Sequence, residues 1–478
     1  MNAFVRTKIV CTVGPATESI ETLTALIGAG MDIARINCSH GDRQQHARLI
    51  ANVRAASARA REPIAILMDL SGPKIRTGTV EGGAVELKKG AELTLTIDQV
   101  LGNARTVSVN YAELPREISP GDPILLDDGK MVLKAVSKTD RSVTAIVQTG
   151  GTLKDRKGLN LPGTRLSIPS LSEKDREDVR FGLTQDVDYV ALSFVRSASD
   201  VRALREVMIS EGANGKRIPI IAKIEKNEAV QDIDAVIGAS DAVMVARGDL
   251  GVELPTEEVP PIQKMIVRKC NEAGVPVIIA TQMLESMIQN PRPTRAEASD
   301  VANAVLDGAD AVMLSGETSV GAYPVEAVEM MNRIIARLEG ERGVTSEGAE
   351  LDRIRAGDVF DAVARAACVM ARQIGAKAIV PLTHSGATAQ RVSKYRPDAP
   401  IYAVTGREKI VRRMNLFWGV QGLLVPDFEQ DSDTTFRKVK EQLLAHGFVQ
   451  KGDSIVLTAG IPVMTKGTTN ALKVDKIE

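Results

Sequence analysis

A buried β-strand is predicted within Pro219-Ile-Ile-Ala-Lys-Ile-Glu-Lys-Asn227, where charges interrupt a run of apolar residues near its end. Side chains alternate along a strand, so Lys223 and Glu225 project to the same side and face one volume of space. Burying such charges costs free energy unless they pair with each other or bind a metal ion. The stretch therefore predicts a functional site at the end of a buried strand.

A second apolar run ends in the same way. Val243-Met-Val-Ala-Arg-Gly-Asp-Leu250 carries Asp249 close to its end, one strand–helix unit further along the chain. Carboxylate oxygens are the ligands that Mg²⁺ and Mn²⁺ prefer. The simplest interpretation is a divalent cation held by Glu225 and Asp249 beside the ammonium of Lys223. The backbone N–H groups that follow this strand could also hold a carboxylate.

Eight short apolar segments, rich in β-branched residues, are spread along the chain, and most precede a helical pattern. They cover residues 8–13, 33–37, 64–69, 187–194, 218–225, 242–246, 275–281 and 311–315. Strands that alternate with amphipathic helices imply parallel strands joined by crossovers, and eight of them predict an α/β fold, the closed (β/α)8 TIM barrel. The sequence Asp-Ala-Val-Met occurs at both 241–244 and 310–313, as expected of repeated units.

Two further domains are predicted. Residues 78–161 show short alternating strands broken by glycine turns, which predicts an inserted β-barrel-like domain on the barrel face where active sites lie. Beyond about residue 340, new apolar strands at 378–381, 401–404, 423–425 and 454–458 predict a C-terminal α/β domain. The expected division is 1–72 for the first part of the barrel, 73–163 for the inserted lid, 164–340 for the rest of the barrel, and 341–478 for an effector and assembly domain.

Composition and charge limit the class of partner. The chain has 60 basic and 61 acidic residues, a net charge of -1 and no long block of one sign, which argues against nucleic acid and membrane surfaces. Its 4 cysteines form neither a zinc nor a disulfide pattern. No apolar run approaches the roughly 18 residues of a membrane span, and no signal-peptide pattern begins the chain, so we expect a cytoplasmic protein with a small-molecule partner.

Polar residues at the carboxyl ends of the barrel strands are candidate site residues, because these ends converge. They are Arg35, Asn37, Ser39, His40, Asp69, Ser193, Lys223, Glu225, Asp249, Thr281, Gln282, Ser315 and Glu317. The cationic groups, with Arg76 downstream, suit a phosphate or carboxylate, whereas the carboxylates suit a divalent metal. The combination predicts a phosphorylated acid as substrate. The sequence lacks the common glycine-rich nucleotide loops, so any phosphoryl transfer would use a different cradle.

Six motifs together resemble the pyruvate kinase family, in order and spacing and over essentially the whole chain. They are Asp69-Leu-Ser-Gly-Pro-Lys-Ile-Arg-Thr-Gly78, Ile221-Ala-Lys-Ile-Glu225, Ala246-Arg-Gly-Asp249, Ala280-Thr-Gln-Met-Leu-Glu-Ser286, Asn290-Pro-Arg-Pro-Thr-Arg-Ala-Glu297 and Met313-Leu-Ser-Gly-Glu-Thr-Ser319. The resemblance, to the bacterial type, implies the three-domain architecture above and a homotetramer. It implies an enzyme that transfers the phosphoryl group of phosphoenolpyruvate to ADP, giving pyruvate and ATP, with Mg²⁺ or Mn²⁺.

The resemblance also implies a role for individual residues. It makes Glu225 and Asp249 the divalent-metal ligands. Lys223 and Arg35 would bind the migrating phosphoryl group. The substrate carboxylate and the carbon to be protonated would face Gly248, Asp249 and Thr281. The family's monovalent-cation cage corresponds to Asn37, Ser39, Asp69 and the Leu70 carbonyl, and its nucleotide phosphate region to Asn37, His40 and Arg76.

Three positions depart from potassium-dependent members of the family. Lys74 stands where they carry glutamate, and Leu70 where they often carry threonine. An ammonium fixed near the cage could replace the monovalent ion, so we expect a potassium-independent variant. Ser197 stands where some members carry a lysine that contacts the nucleotide, which leaves the nucleotide contacts open.

A loop in the C-terminal domain predicts a second ligand site. Pro381-Leu-Thr-His-Ser-Gly-Ala-Thr388 is a strand-to-helix turn rich in hydroxyl and N–H groups, which suits a phosphate. In the family this loop binds phosphorylated effectors, so allosteric control through Thr383, Ser385, Gly386 and Thr388 is expected, with residues 467–470 as the opposite wall. The alternative is that Thr383 or Ser385 only caps the helix.

Other functions remain compatible with these residues. One is a metal-dependent lyase, and another is an aldolase that forms a Schiff base with Lys223. A third is a regulator that binds a phosphorylated metabolite without catalysis. Glu317 is expected to order a loop or a subunit contact, and His46 and His446 are expected on the surface.

Overall fold

The chain begins with three strands that alternate with two helices. In this computed structural model the described residues are 5–164, 166–212, 217–340, 354, 356–426, 432–460 and 469–478. The first elements are β1 (Lys8–Thr12), α1 (Ile20–Ala29), β2 (Ile33–Asn37), α2 (Arg43–Ala60) and β3 (Ala65–Asp69). Both helices begin at a side-chain cap, because Ser19 and Asp42 accept backbone N–H groups of the first turn.

An inserted β domain follows β3. Its elements are β4 (Ala84–Leu87), β5 (Glu92–Thr96), β6 (Thr106–Ser108), α3 (Leu114–Glu117), β7 (Pro123–Leu126), β8 (Met131–Lys138), β9 (Ser142–Thr149), β10 (Gly151–Lys154) and β11 (Leu159–Asn160). Six strands pair in the order β11-β7-β8-β9-β5-β6, and β10 pairs with β4. Alternate side chains, among them Leu93, Leu133 and Val143, form one apolar cluster. The expected inserted sheet domain is confirmed.

The chain then returns to the first sheet. Its elements are α4 (Glu173–Thr184), β12 (Tyr189–Leu192), α5 (Ala198–Ser210), β13 (Ile220–Ile224), α6 (Asn227–Gln231), α7 (Ile233–Ala239), β14 (Ala242–Ala246), α8 (Arg247–Glu253), α9 (Val259–Ala273), β15 (Val277–Ala280), α10 (Arg295–Leu306), β16 (Ala311–Leu314), α11 (Gly316–Ser319) and α12 (Pro324–Gly340). The strands close in the order β1-β16-β15-β14-β13-β12-β3-β2, all parallel. All eight apolar segments of the sequence supply a strand, so the TIM barrel is confirmed.

Alternation along the strands separates the inside of the barrel from the outside. Ala242 and Met244 belong to the cluster that fills the barrel, whereas Val243 and Val245 pack outward with the helices. Ile224 likewise packs outward, so Lys223 and Glu225 on either side of it face the inside. This geometry brings charged side chains together above the apolar barrel interior.

Four aspartates order the amino end of the barrel. Asp32, Asp188, Asp241 and Asp310 each stand one residue before an even-numbered barrel strand. Each carboxylate accepts a backbone N–H at the start of the preceding strand, with N···O distances of 2.8 Å to Ile9, 2.9 Å to Ile66, 2.9 Å to Ile220 and 2.8 Å to Val277. The Asp-Ala-Val-Met repeat seen in the sequence therefore carries a repeated strand-pairing contact.

A C-terminal α/β domain completes the described chain. Its elements are α13 (Val359–Ile374), β17 (Ala378–Pro381), α14 (Ala387–Lys394), β18 (Ile401–Thr405), α15 (Glu408–Arg413), β19 (Val420–Leu424), α16 (Ser432–Ala445), β20 (Ser454–Ala459) and β21 (Ala471–Lys476). The sheet order is β19-β18-β17-β20-β21, with β21 antiparallel to its neighbour. The sequence patterns predicted the first four strands and missed β21.

This domain packs against the amino end of the barrel. Arg412 Nε lies 3.0 Å from Asp188 Oδ1, and Arg396 Nη1 lies 2.9 Å from Asp310 Oδ1. The C-terminal domain and the carboxyl ends of the barrel strands are therefore at opposite ends of the barrel. Short 3₁₀ helices occur at Pro15–Thr17, Glu81–Gly83, Thr256–Glu258, Glu285–Ile288 and Met414–Leu416. None of the helices in the described ranges has the length and apolar character needed to span a membrane.

Candidate active site

Lys223 lies at the centre of the charged cluster above the barrel interior. It occupies the fourth position of β13 and is 9% exposed. Its Nζ donates to Ser193 Oγ at 2.7 Å, and lies 2.9 Å from Glu225 Oε1 and 3.3 Å from Asp69 Oδ1. These partners come from three strands, so the convergence predicted from the sequence of β13 is observed.

The surroundings keep Lys223 charged. Burial by itself lowers the pKa of a lysine, but the Asp69 and Glu225 carboxylates outweigh it and raise the pKa of Lys223 well above its usual range. The side chain is therefore a fixed ammonium across the physiological pH range.

Arg35 supplies a second cation to the same cluster. Its Nε donates to Asp69 Oδ2 at 2.7 Å, and its Nη1 donates to Thr12 Oγ1 at 2.8 Å. Burial would raise the pKa of Asp69, yet Lys223 and Arg35 hold it below its usual value. Asp69 is therefore a buried carboxylate between two cations, which accepts a hydrogen bond from Arg35 and forms an ion pair with Lys223.

Glu225 and Asp249 are the two carboxylates that the sequence predicted as metal ligands. Burial and the nearby Asp249 raise the pKa of Glu225, against the opposing effect of Lys223 and of the Phe194 N–H that Glu225 Oε2 accepts at 2.7 Å. Repulsion between two carboxylates is relieved by a cation bound between them. Within the described ranges, no group of three or more His, Cys, Asp and Glu side chains could hold a metal. Two carboxylates still fit Mg²⁺, which usually takes its other ligands from substrate and water.

Thr281 and Gly248 are in direct contact at the carboxyl ends of β15 and β14. The Gly248 N–H donates to Thr281 Oγ1 at 2.7 Å, and Thr281 Oγ1 donates to the Ala280 carbonyl at 2.6 Å. The sequence predicted that the Gly248 N–H would be free for a carboxylate. In this structure that N–H binds the threonine hydroxyl instead, so a carboxylate would have to displace it.

The residues predicted to form a monovalent-cation cage lie at the ends of β2 and β3 and in the turn after each strand. Asn37 Oδ1 accepts the Ser39 N–H at 3.1 Å, and the Leu70 carbonyl accepts the Ser193 hydroxyl at 2.7 Å. Asp69 Oδ1 is buried and has no hydrogen-bond donor, although the Lys223 ammonium lies nearby. These residues therefore lie beside a cation of the protein itself, the Lys223 ammonium.

The predicted nucleotide residues lie at the rim of the site. His40 is exposed, and its pKa is lowered by partial burial and by the cations Lys74, Arg76 and Arg35. Arg76 Nη1 donates to the Arg156 carbonyl of the inserted domain at 3.0 Å. The Lys74 ammonium lies 5.7 Å from the centroid of the Phe194 ring.

Two cavities meet at this rim. The first, of about 110 Å³, is lined by the predicted catalytic and substrate residues, among them Arg35, Lys223, Glu225, Asp249 and Thr281. The second, of about 250 Å³, extends between the barrel and the inserted domain. His40, Lys74, Arg76 and Asp249 line both. The site thus has a small inner space and a larger outer space under the inserted domain.

The predicted effector residues lie in the C-terminal domain, near the amino end of the barrel. Thr383 Oγ1 accepts the Gly386 N–H at 2.9 Å, and the Thr388 and Thr469 hydroxyls lie 2.8 Å apart. Ser385 is exposed. Residues 467 and 468 of the expected opposite wall lie outside the described residues.

Sequence reasoning missed several residues that support the site. The Thr12 hydroxyl binds Arg35, and the Phe194 N–H binds Glu225. Arg247 donates to the Thr281 carbonyl at 2.8 Å. The surface position expected for His46 is wrong. Its ring is buried, because it is on the face of α2 that packs inward, and its Nε2 lies 2.7 Å from the His40 carbonyl. The spacing of His46 from Leu49 and Ile50 on that helix was the available signal.

Comparison with known families agrees with this architecture. The family model described as pyruvate kinase, barrel domain, matches residues 4–328, and the one described as pyruvate kinase, alpha/beta domain, matches residues 361–475. The chain belongs to the pyruvate kinase family.

Individual members of the pyruvate kinase family are similar over nearly the full chain. The pyruvate kinase of Geobacillus stearothermophilus is 48% identical over 477 residues, which is 99% of this chain and 80% of the relative. That of Clostridium acetobutylicum is 44% identical and is covered in full, with 99% of this chain. A solved structure of a pyruvate kinase from Cryptosporidium parvum superposes with a TM-score of 0.93 at 38% identity, covering 99% of this chain and 96% of that one.

Proposed function

We propose that this enzyme transfers the phosphoryl group of phosphoenolpyruvate to ADP, giving pyruvate and ATP in glycolysis. The observation that carries the proposal is the fixed ammonium of Lys223 between Asp69, Glu225 and Ser193, beside the Arg35 guanidinium. A loose phosphoryl transition state needs positioned positive charge more than covalent chemistry. The barrel supplies two such cations on one wall of a small cavity.

The divalent metal would be held by Glu225 and Asp249, as Mg²⁺ or Mn²⁺. When bound, it supplies positive charge that offsets the negative charge of the reacting phosphoryl oxygens. Both carboxylates line the inner cavity, and their mutual repulsion favours a cation between them. Lys223 already pairs with one oxygen of Glu225, so part of the negative charge of the two carboxylates is neutralised before the metal ion binds.

The substrate is oriented by groups on three strands. Arg35 and Lys223 bind the phosphoryl group, and the backbone at Gly248 and Asp249 binds the carboxylate. Gly248 N–H would exchange its bond with Thr281 Oγ1 for a bond to the carboxylate, which releases the hydroxyl toward the substrate carbon. Thr281 then delivers a proton to the methylene carbon of the enolate product, which gives pyruvate, and the threonine oxygen regains a proton from solvent. This protonation makes the overall transfer to ADP favourable.

The nucleotide would bind in the outer cavity, with its phosphates near Asn37, His40 and Arg76. Arg76 belongs to the inserted domain, where its Nη1 donates to the Arg156 carbonyl, so movement of that domain would move one of the nucleotide residues. Closure of the inserted domain as a lid would exclude water that could otherwise accept the phosphoryl group.

Potassium is not required in this proposal. Asp69, the carboxylate of the cage formed with Asn37, Ser39 and Leu70, already has Lys223 and Arg35 as partners. Lys74 adds a third positive charge at the rim of the same cavity. Protein cations therefore take over the electrostatic role of a monovalent ion.

The environment of Lys223 argues against the Schiff-base alternative. A lysine that forms a Schiff base needs a depressed pKa, and the carboxylates around Lys223 raise its pKa instead. The ion pairs of Lys223 with Asp69 and Glu225 favour a charge-stabilising role for this lysine.

Membership of the family is the basis for a proposal about the regulation and the assembly of the enzyme. We propose that a phosphorylated effector binds at Thr383, Ser385, Gly386 and Thr388, and that the enzyme is a cytoplasmic homotetramer. The domain division at 72/73, 163/164 and 340/341 belongs to the same proposal. In support, Thr383 holds the loop by accepting the Gly386 N–H, while Ser385 is left exposed at its tip.

The experiment is a coupled assay of pyruvate formation with phosphoenolpyruvate, ADP and Mg²⁺, on the purified full-length enzyme. Turnover that depends on all three supports the proposal. No pyruvate, or trapping of Lys223 by borohydride in the presence of pyruvate, would contradict it.

A further inference from the structure

The turn that carries Thr281 has an unusual backbone. Thr281 has φ of 68° and Gln282 has φ of 55°, so two consecutive residues with side chains occupy the left-handed region. A β-branched residue rarely adopts this conformation, because its side chain crowds the backbone. Such strain persists only where the surrounding structure fixes it. Some other group must therefore hold the turn.

Arg247 holds the turn through its carbonyl groups. Its Nη2 donates to the Thr281 carbonyl at 2.8 Å, and its Nε to the Ala280 carbonyl at 3.3 Å. The guanidinium is fixed from the other side by Asp300 of α10, at 2.8 Å from Nη1 and 2.7 Å from Nη2. The Arg247 side chain is only 12% exposed. Asp300, Arg247 and the turn therefore form one connected chain of hydrogen bonds.

Gly248, the residue next to Arg247, binds the hydroxyl of Thr281 in the same turn. The Gly248 N–H donates to Thr281 Oγ1, so residues 247 and 248 hold Thr281 at its carbonyl and at its side chain. If a substrate carboxylate takes the Gly248 N–H, the hydroxyl loses that contact. The bond from Arg247 to the carbonyl does not depend on the Gly248 N–H, so it can keep Thr281 in place at that moment.

A carboxylate fixes the far side of the same turn. Glu317 Oε1 accepts the Leu284 N–H at 3.0 Å, and its Oε2 accepts the Ser315 N–H at 2.7 Å. Glu317 thereby ties the end of the turn to the neighbouring strand β16. Glu317 acts at the Leu284 end of residues 281–284, whereas Arg247 contacts the Thr281 carbonyl and the Met283 sulfur. Among the described residues, Arg247 is the one that donates a hydrogen bond to the Thr281 carbonyl.

We propose that Arg247, oriented by Asp300, is a positioning residue for proton transfer at Thr281. It does not line the inner cavity, so it acts through the turn and not on the substrate. The inference rests on the proposed function, because it concerns the carbon that is protonated in that reaction. A displacement of a reacting group by about 1 Å can cost about a hundredfold in rate, so a loosened turn has a measurable effect.

The test separates proton transfer from phosphoryl transfer in the full-length enzyme. Proton transfer is measured as exchange of the pyruvate methyl hydrogens with D₂O, in the presence of Mg²⁺ and ATP, followed by NMR. Each exchange removes one methyl proton to the site and returns one deuteron to the same carbon. Phosphoryl transfer is measured as kcat and KM for phosphoenolpyruvate and for ADP.

Arg247→Met is expected to slow methyl exchange by about tenfold to a hundredfold, with a smaller change in KM for ADP. Arg247→Lys should recover part of the rate, because a lysine can reach a carbonyl but cannot also pair with Asp300 in two places. Asp300→Asn should slow exchange less than Arg247→Met. If Arg247→Met does not fold, Arg247→Lys and Asp300→Asn carry the test.

Arg205→Met is a matched structural control. Arg205 Nη2 also donates to a carbonyl, that of Ala239 at 3.1 Å, and pairs with Asp241 at 3.0 Å, but at the amino end of the barrel. Its exchange rate should stay at the wild-type value. The proposal is overturned if the Arg247 and Asp300 variants exchange at the wild-type rate, or no more slowly than Arg205→Met. Wild-type enzyme that makes no pyruvate would instead contradict the proposed function.

Discussion

The Lys223 ammonium lies 2.9 Å from the Glu225 carboxylate. Both side chains face the inside of the barrel, Lys223 from within β13 and Glu225 from the residue that follows the strand. The pair is buried, and each partner has a second interaction: Lys223 with Asp69, and Glu225 with the Phe194 N–H. Buried ion pairs contribute little net stability, since desolvation offsets their attraction. The pair is better explained by a role in chemistry than by a role in folding.

Metal affinity should depend on Glu225 and on Asp249, the second carboxylate that lines the same cavity. We expect Glu225→Gln and Asp249→Asn each to weaken Mn²⁺ binding by at least about tenfold, because each removes an anionic ligand. Binding can be followed by electron paramagnetic resonance without substrate. Glu317→Gln is the control, since Glu317 is a buried carboxylate whose two oxygens accept backbone N–H groups. Wild-type affinity in both variants would rule out this metal site.

Potassium should leave the rate unchanged. With Mg²⁺ fixed, KCl and choline chloride at equal ionic strength are expected to give the same kcat, because Lys74, Lys223 and Arg35 already surround the cage. Lys74→Glu removes one of these charges and adds a carboxylate, so its rate should rise with KCl. A strong increase of the wild-type rate in KCl would contradict the potassium-independent proposal.

The aspartates at the amino end should affect stability and not catalysis. Asp310→Ala removes the acceptor of the Val277 N–H and the carboxylate partner of Arg396, which keeps its bonds to Asn271 and the Gly308 carbonyl, so we expect a loss of about 3 kcal/mol and a lower melting temperature. Because the site is at the other end of the barrel, kcat should change by less than about twofold. Glu329→Ala, which breaks an exposed pair with Arg333, should change stability by less than about 1 kcal/mol. Equal melting temperatures for the two variants would be inconsistent with this role.

The effector proposal predicts a change in regulation. Ser385→Asp places a negative charge at the exposed tip of the loop, where it would repel a phosphate. We expect the variant to lose activation by sugar phosphates and nucleotides while keeping its unstimulated kcat. An unchanged phosphoenolpyruvate saturation curve and an unchanged effector response would remove this site from the proposal.

The barrel and its central residues could be predicted because two geometric rules govern them. The alternation of a strand places Lys223 and Glu225 together, and the convergence of parallel strands brings Asp69, Arg35 and Asp249 to them. The strand β21 escaped prediction because it is a polar strand, ALKVDK, at the edge of its sheet. Its conformation depends on pairing with β20, which no local pattern records.

Contacts between distant segments of the chain were the other feature that the sequence did not predict. Arg247 is visible in the motif around Asp249, but its partners Thr281 and Asp300 lie 34 and 53 residues away. The Asp-Ala-Val-Met repeat indicated repeated units but did not predict the hydrogen bonds of its aspartates. Their carboxylates accept N–H groups that belong to neighbouring strands. Such contacts depend on the register of the closed barrel, which the sequence patterns do not specify.

The central claim is tested most directly by Lys223→Met in the pyruvate assay, with Lys8→Met as the matched control. Both lysines are buried and both pair with an aspartate, but Lys8 pairs with Asp32 at the amino end of the barrel. We predict that Lys223→Met lowers kcat by at least about a hundredfold while the protein stays folded, and that Lys8→Met keeps a kcat near wild type. Turnover of folded Lys223→Met at the rate of Lys8→Met would contradict the account.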